Sequence, residues 1–353
     1  MERNFNIDKK YLYSILNILK EYQSDEDVLA DIFKLERIIN RFENHFYEDK
    51  EESLKESIDG DLKRYEYFKP FYPLAEKFIN IGINVDDISF EATYSALDIS
   101  DNEAFSTVSE FFNEQSEFFS SGFNEFNEEA EEHLEFIDKD NNTDGEMTFL
   151  KSTGDAFVFC PNYSNITKIT ILTHETEHVI DSFKNPNFYE NLLIRETVAI
   201  FMEMIVGDFC AKKYNLIDDH FQRKLMLHIV LKNHANIFID KMDMLEIIDK
   251  NIGLTESELI KLLEDEGFSF ECINFLMENT IIEDFFYILS YLIAIEIYFM
   301  YYNDKSKALS ILEDIILNGT DENILSLISK YGIVLNKNVK NYEDKILSKI
   351  KKQ

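Results

Sequence analysis

With 353 residues, the chain can form one large domain or two modest ones and bury a substantial core. Its 35 Lys and Arg against 68 Asp and Glu leave a formal net charge of −33, which disfavours nucleic acid as a partner because phosphate binding needs a basic face. Hydrophobic residues make up 45%, too many for a disordered acidic chain, and no apolar run reaches the roughly 18 residues of a membrane span, so no membrane partner is expected.

The start, Met1-Glu2-Arg3-Asn4-Phe5-Asn6, lacks a basic n-region and an apolar h-region and predicts no signal peptide. Residues 8–22 place Tyr11, Leu12, Ile15, Leu16 and Leu19 at helical spacing. Residues 27–47 repeat the pattern with Val28, Leu29, Ile32, Leu35, Ile38, Ile39 and Phe42. Over residues 102–137, Phe105, Val108, Phe112, Phe119, Phe123 and Phe126 form an aromatic stripe at roughly helical spacing, which reads as core. Between Asp101 and Glu146 stand 15 acidic residues and one basic residue, Lys139. Such a run is a solvated face or a negative wall that prefers cationic ligands.

Residues 138–145 are a turn cluster. Asp140 to Gly145 begins like a calcium loop, but Lys151 stands where a bidentate Glu is required, so a tight turn is expected instead. Two short apolar runs follow, Met147 to Leu150 and Ala156 to Phe159, and predict a hairpin or small sheet. The glycosylation triplets at Asn162 and Asn165 carry no meaning without secretion. Helical patterning resumes at Ile166 and holds to a Lys-rich terminal helix from Lys337. Within it, His228 and His234 read as ordinary core or surface histidines. Only 10 Gly and 4 Pro agree with a mainly α fold. Cys160, Cys210 and Cys272 are far apart and form no CxxC, which fits a reducing, cytoplasmic setting and disfavours both a disulfide scaffold and a cysteine zinc site.

The chemistry concentrates in His174-Glu175-Thr176-Glu177-His178. On a helix, i and i+4 share a face, so both imidazoles can meet one ion, and Zn²⁺ with three protein ligands and one open position suits them. Glu175 then lies beside the bound water as general base and later returns the proton to the leaving amine. Apolar residues before the motif (Ile169, Ile171, Leu172) and after it (Val179, Ile180, Phe183) place it in a core helix, where buried histidines need partners. Asn185-Pro186-Asn187 is a turn that allows a second helix to return beside the first. Glu196 on that helix can be the third ligand. Glu203, two turns further on, and Asp181, three residues after His178, are placed to orient the ligand histidines or to be ordinary surface carboxylates.

These residues resemble the oligoendopeptidase F and thimet oligopeptidase family of zinc peptidases. Phe157 to Tyr163 and Lys168 to Thr173 lead into the motif as in that family, and Glu196-Thr197-Val198-Ala199-Ile200-Phe201-Met202-Glu203 is close to its E-x-A-S-x-F-x-E. Phe286-Tyr287-Ile288-Leu289-Ser290-Tyr291-Leu292 is similar to its F-Y-V-Y-Q-Y-A, and the resemblance covers roughly residues 88–332. It implies a helical gluzincin with a small sheet or hairpin before the HExxH helix and a deep channel for short unfolded peptides. It implies one zinc ion held by His174, His178 and Glu196, with Glu175 as base and Tyr287 and Tyr291 as hydrogen-bond donors to the oxyanion. Residues 1–87 would be a shortened, lid-like helical region and residues 88–353 the catalytic domain.

Three departures stand out. Glu177 replaces the glycine of HExGH, Ile281 falls where the family has a histidine, and Leu289 falls at its middle tyrosine. The last two changes remove side-chain donors. The expected function is a zinc-dependent endopeptidase acting on short or unfolded peptides in a channel, and a channel of negative potential would favour cationic ones. The alternatives are a weak or inactive relative that binds a peptide or partner protein, and a metal-free helical scaffold.

Overall fold

The computed structural model describes residues 3–23, 25–42, 62, 65, 69, 72–79, 97–137, 145–188, 191–215, 219–251, 253–269, 272–273, 281–321 and 323–335. The expected domain boundary at 87/88, the turn cluster at 138–144 and the Lys-rich terminal helix lie outside the described residues. The chain divides into two compact units. One comprises residues 1–48, 89–222 and 297–331; the other comprises 49–88, 223–296 and 332–353.

The first unit opens with two helices, α1 (Lys9–Lys20) and α2 (Glu26–Phe42). Asp8 caps α1 by accepting from the Lys10 amide. Both helices carry one apolar stripe, and they pack on each other. Leu12, Ile15, Leu16 and Leu19 meet Ile32, Leu35, Ile38 and Ile39 in one cluster, which extends to Phe157 and Phe159 of the sheet.

Residues 102–137 are core, as the stripe predicts, but not one helix. They form α4 (Asp101–Asn113), α5 (Glu117–His133) and a strand, β1 (Leu134–Ile137). A preceding helix, α3 (Tyr72–Ile79), belongs to the second unit. Phe105, Phe112, Phe119, Phe123 and Phe126 are all buried, and the Phe112 and Phe123 rings stack 5.5 Å apart. Each such side chain contributes about 1.5–3 kcal/mol by leaving water. Their charged neighbours Glu125, Glu128, Glu129, Glu131 and Glu132 are exposed, so much of the acidic run is a solvated face.

The small sheet has the order β1-β3-β2, with β2 (Glu146–Phe149) and β3 (Ala156–Pro161). β2 pairs antiparallel with β3, with Met147 opposite Val158. β1 pairs parallel with β3, with Leu134 opposite Val158. Every residue of β3 is buried, which explains its unbroken apolar run.

The next helix, α6 (Ile166–Lys184), starts at the Asn165 cap and packs on the sheet, on α4, on α5 and on the following helix α7 (Leu192–Lys213). It is therefore covered almost all round. Gly122 makes the α5 approach possible: a Cβ there would lie 2.7 Å from Ile180 Cγ2. Helices α8 (Asp219–Asp249), α9 (Glu256–Asp265) and α10 (Ile281–Tyr301) follow, then α11 (Lys305–Asn318) and α12 (Ile324–Ser329). The second unit has its own core, centred on Met244, Ile248, Leu263 and Ile273. Among the described residues, no helix is long and apolar enough to cross a membrane.

Candidate metal centre

The motif sits in the middle of α6, and α7 runs beside it. The turn at Asn185 returns the chain, so α7 faces α6 with Glu196. His174 Nε2 lies 3.4 Å from Glu196 Oε2, and His178 Nε2 lies 3.4 Å from Glu196 Oε1. The two imidazoles stand nearly edge to face, with centroids 4.8 Å apart. Candidate ligand atoms of all three residues fall within 4.8 Å of one another. Two ligands bound about 2.0–2.2 Å from a tetrahedral ion stand roughly 3.3–3.6 Å apart, so both 3.4 Å separations suit one zinc ion. The same separations are long for N–H···O hydrogen bonds, and Glu196 Oε2 is buried with no hydrogen-bond partner. The residues present therefore fit a zinc ion.

Electrostatics set the protonation. Burial and the positive charge of Arg195 push His178 down to about 3, so it is a neutral imidazole suited to a metal. Burial would lower His174 too, but Glu196, Glu203 and the nearby acidic charges outweigh it and raise its pKa well above the ordinary value. Burial would raise Glu196, yet its contacts with both histidines hold it well below the carboxylate range. Glu175 is pushed up to about 7, chiefly by burial.

Glu175 is also tightly placed. Gly145, just before β2, covers it: a Cβ at Gly145 would lie 2.5 Å from Glu175 Oε1 and 2.6 Å from Ile171 Cγ2. Only a residue without a side chain lets this backbone pass over the carboxylate. Nothing in the sequence marks Gly145 as part of this site, because the approach joins residues 30 positions apart and only the fold brings them together.

Glu203 reaches the other nitrogen of His174, with Oε2 3.7 Å from Nδ1. Asp181 is fully buried, and its carboxyl stands with Glu177 and His178 in one group within 4.8 Å. The carboxyl nearest to His178 Nδ1 is that of Glu177, at 3.8 Å. Glu177 is completely buried as well, so it faces neither solvent nor a substrate. Burial, then the charge of Asp181, raises Glu177 well above the carboxylate range. Burial likewise raises Asp181 to about 8.

Tyr287 and Tyr291 lie on α10 in the second unit. There the Tyr287 ring stacks on His234, 4.9 Å between centroids and 12° from parallel, and Tyr291 is 8% exposed. Leu289 is buried, and the side chains of Ile281 and His228 lie outside the described residues.

A mainly α architecture with a three-stranded mixed sheet ahead of an HExxH helix, and a carboxylate supplied by the next helix, defines the class. Comparison with solved structures gives it a closer description, an oligoendopeptidase F-like fold. A provisionally named oligoendopeptidase F from Bacillus anthracis str. Ames aligns over 96% of this chain and 65% of its own, with 13% identity and a TM-score of 0.56. PZ peptidase A with inhibitor 2 aligns over 94% and 67%, with 14% identity and a TM-score of 0.58. A 3.1 Å X-ray structure of a provisionally named oligoendopeptidase F aligns over 96% and 66%, with 14% identity and a TM-score of 0.56. The chain thus spans about two thirds of the length of these proteins. No protein-family profile and no curated protein matches the sequence.

Proposed function

We propose that the chain is a zinc-dependent endopeptidase that hydrolyses short or unfolded peptides. One observation carries this reading: His174, His178 and Glu196 converge on one point, with the buried carboxyl of Glu175 on the same helix. The oligoendopeptidase F-like fold supports it. His174, His178 and Glu196 would hold one zinc ion, which supplies Lewis acidity to a substrate carbonyl and makes water more acidic. Glu175 takes the proton from the attacking water and delivers it to the leaving amine. Burial raises its carboxyl above the usual carboxylate range, which favours uptake of a proton from water. Glu203 accepts from His174 Nδ1 and holds that ring in place. The resemblance assigns to Tyr287 and Tyr291 the donation of hydrogen bonds to the developing oxyanion. The acidic chain favours cationic peptides in a cytoplasmic setting, with neither nucleic acid nor membrane as partner.

A peptide library read by mass spectrometry tests this, with zinc content measured on the parent and on Glu175→Gln. One zinc ion on both and cleavage by the parent alone is the expected result. Zinc on both with cleavage by neither would favour the second reading, a peptide-binding relative; the buried, apolar Leu289 at an expected tyrosine position is the observation behind it. Absence of zinc from the parent would remove the metal assignment.

A further inference from the structure

The HExxH helix holds a second feature that the proposed chemistry does not use. Glu177 and Asp181 lie one turn apart on α6, and both are 0% exposed. All four of their carboxyl oxygens are inaccessible; the two carboxyls can share a proton with each other, and no other protein group donates to them. His178 Nδ1, on the face of the ring turned away from Glu196, is equally buried and equally without a partner. Such groups cost stability unless something satisfies them. Three of them meeting in one place calls for a common explanation.

The orientation of His178 supplies it. Its Nε2 points to Glu196 and to the ion position, so a metal there takes the Nε2 lone pair and leaves the ring proton on Nδ1. That N–H needs an acceptor in a place water cannot reach. Glu177 Oε2, 3.8 Å away, is the nearest carboxyl oxygen, and a shift of about 1 Å brings it to hydrogen-bond distance. We infer that Glu177 is the positioning residue for His178: it accepts the Nδ1–H, fixes the tautomer that presents Nε2 to the metal, and is held in turn by Asp181.

The inference rests on the zinc reading above and adds a residue to it. It also gives Glu177 a function at the position where the resembling pattern has glycine. His174 has its counterpart in Glu203, so each ligand histidine gains its own carboxylate, one half-exposed and one sealed. The Arg195 side chain, 9% exposed on α7, adds a positive charge that offsets part of the cost of a buried acid.

A purely structural role and a positioning role differ in sign. Replacing a sealed carboxyl by a side chain of the same size relieves the metal-free fold, whereas removing the acceptor weakens the metal site. The test uses full-length Glu177→Gln, which keeps an oxygen acceptor, and Glu177→Met, which keeps volume without one. Zinc affinity is read by chelator competition, and Tm is read on the metal-free proteins.

The expected result is zinc binding weakened about 10–100-fold in Glu177→Met and less in Glu177→Gln, with metal-free Tm equal to or above that of the parent. Equal zinc affinity in the parent and Glu177→Met overturns the inference while leaving the zinc reading intact. A loss of affinity that only tracks a lowered metal-free Tm also overturns it, as does a parent that binds two zinc ions and loses one in Glu177→Gln, since the acid pair would then be a cation site. A parent that binds no zinc overturns both readings together.

Discussion

At the scale of single residues, the site is controlled by what surrounds Glu175 as much as by Glu175 itself. Its Oε1 lies where a Cβ on Gly145 would come within 2.5 Å, and Glu175 Cγ and Ile171 Cγ2 are within 2.9 and 2.6 Å of that same point. A methyl group cannot fit there without moving the carboxylate or the backbone that leads into β2. The nearest atoms to such a methyl group belong to Glu175 and Ile171, and not to the proposed zinc ligands His174, His178 and Glu196. Gly145→Ala should therefore keep its zinc while kcat falls by about 100-fold, the effect of misplacing a catalytic group by roughly 1 Å. Metal content together with steady-state kinetics checks it; full activity, or loss of the metal, would count against the placement. A second residue-scale test lies away from the site. The Tyr11 hydroxyl donates to Asp155 Oδ1 at 2.8 Å and joins α1 to the end of the sheet hairpin. Tyr11→Phe keeps the ring against His133 and Phe157 and removes only this bond. Urea unfolding should show a loss of about 1 kcal/mol, and no change would mean that water replaces the bond.

At the scale of elements, the α6–α7 pair carries the candidate metal centre, and the start of α7 holds a buried acid whose effect can be tested. Asp321, preceding α12, accepts from the Ile194 amide at 3.3 Å in the first turn of α7 and donates its own amide to Asn191 Oδ1. Burial outweighs these amide contacts and pushes Asp321 from 3.8 up to about 6. The folded chain then holds this proton more tightly than the unfolded one, so the stability it contributes is present at acid pH and is lost as pH rises from about 4 to about 6. Asp321→Asn keeps an acceptor and avoids a half-buried charge. Its Tm should exceed that of the parent by about 1–3 °C at pH 7.5, and the gap should close by about pH 4. A less stable variant at pH 7.5 would mean that attraction between the carboxylate and the start of α7 is the larger effect.

The elements also show where sequence reasoning reaches and where it stops. α1, α2 and α6 were legible because an amphipathic or apolar repeat at helical spacing has one solution. His174, His178 and Glu196 were legible as a set because i, i+4 spacing and a turn between two helices are local facts. β1 was not: Leu134-Glu135-Phe136-Ile137 continues the aromatic pattern of α5, and only pairing with Val158 to Pro161 makes it a strand. Glu177 was not either, because a carboxylate in a polar motif gives no sign of how deeply the neighbouring helices will bury it.

At the scale of the whole molecule, the dominant fact is the net charge of −33. Exposed acids along α4 and α5, among them Glu103, Glu110, Glu128 and Glu132, belong to the same unit as the HExxH helix. Fields of this kind raise the local concentration of cations and speed their encounter, and salt screens them over about 8–10 Å. They do not discriminate once a peptide is seated, so the effect belongs in kcat/KM and not in kcat. For a matched pair of peptides that differ only in Lys or Arg against Gln flanking the scissile bond, the cationic member should be cleaved about 3–10-fold faster at 20 mM salt. Raising salt to about 500 mM should bring the two rates together by slowing the cationic peptide, with the neutral one nearly unchanged. A preference that persists at high salt would indicate direct carboxylate contacts at the site in place of long-range attraction. No preference at low salt would leave the acidic surface as a device for keeping copies of this chain apart, with no part in choosing the substrate.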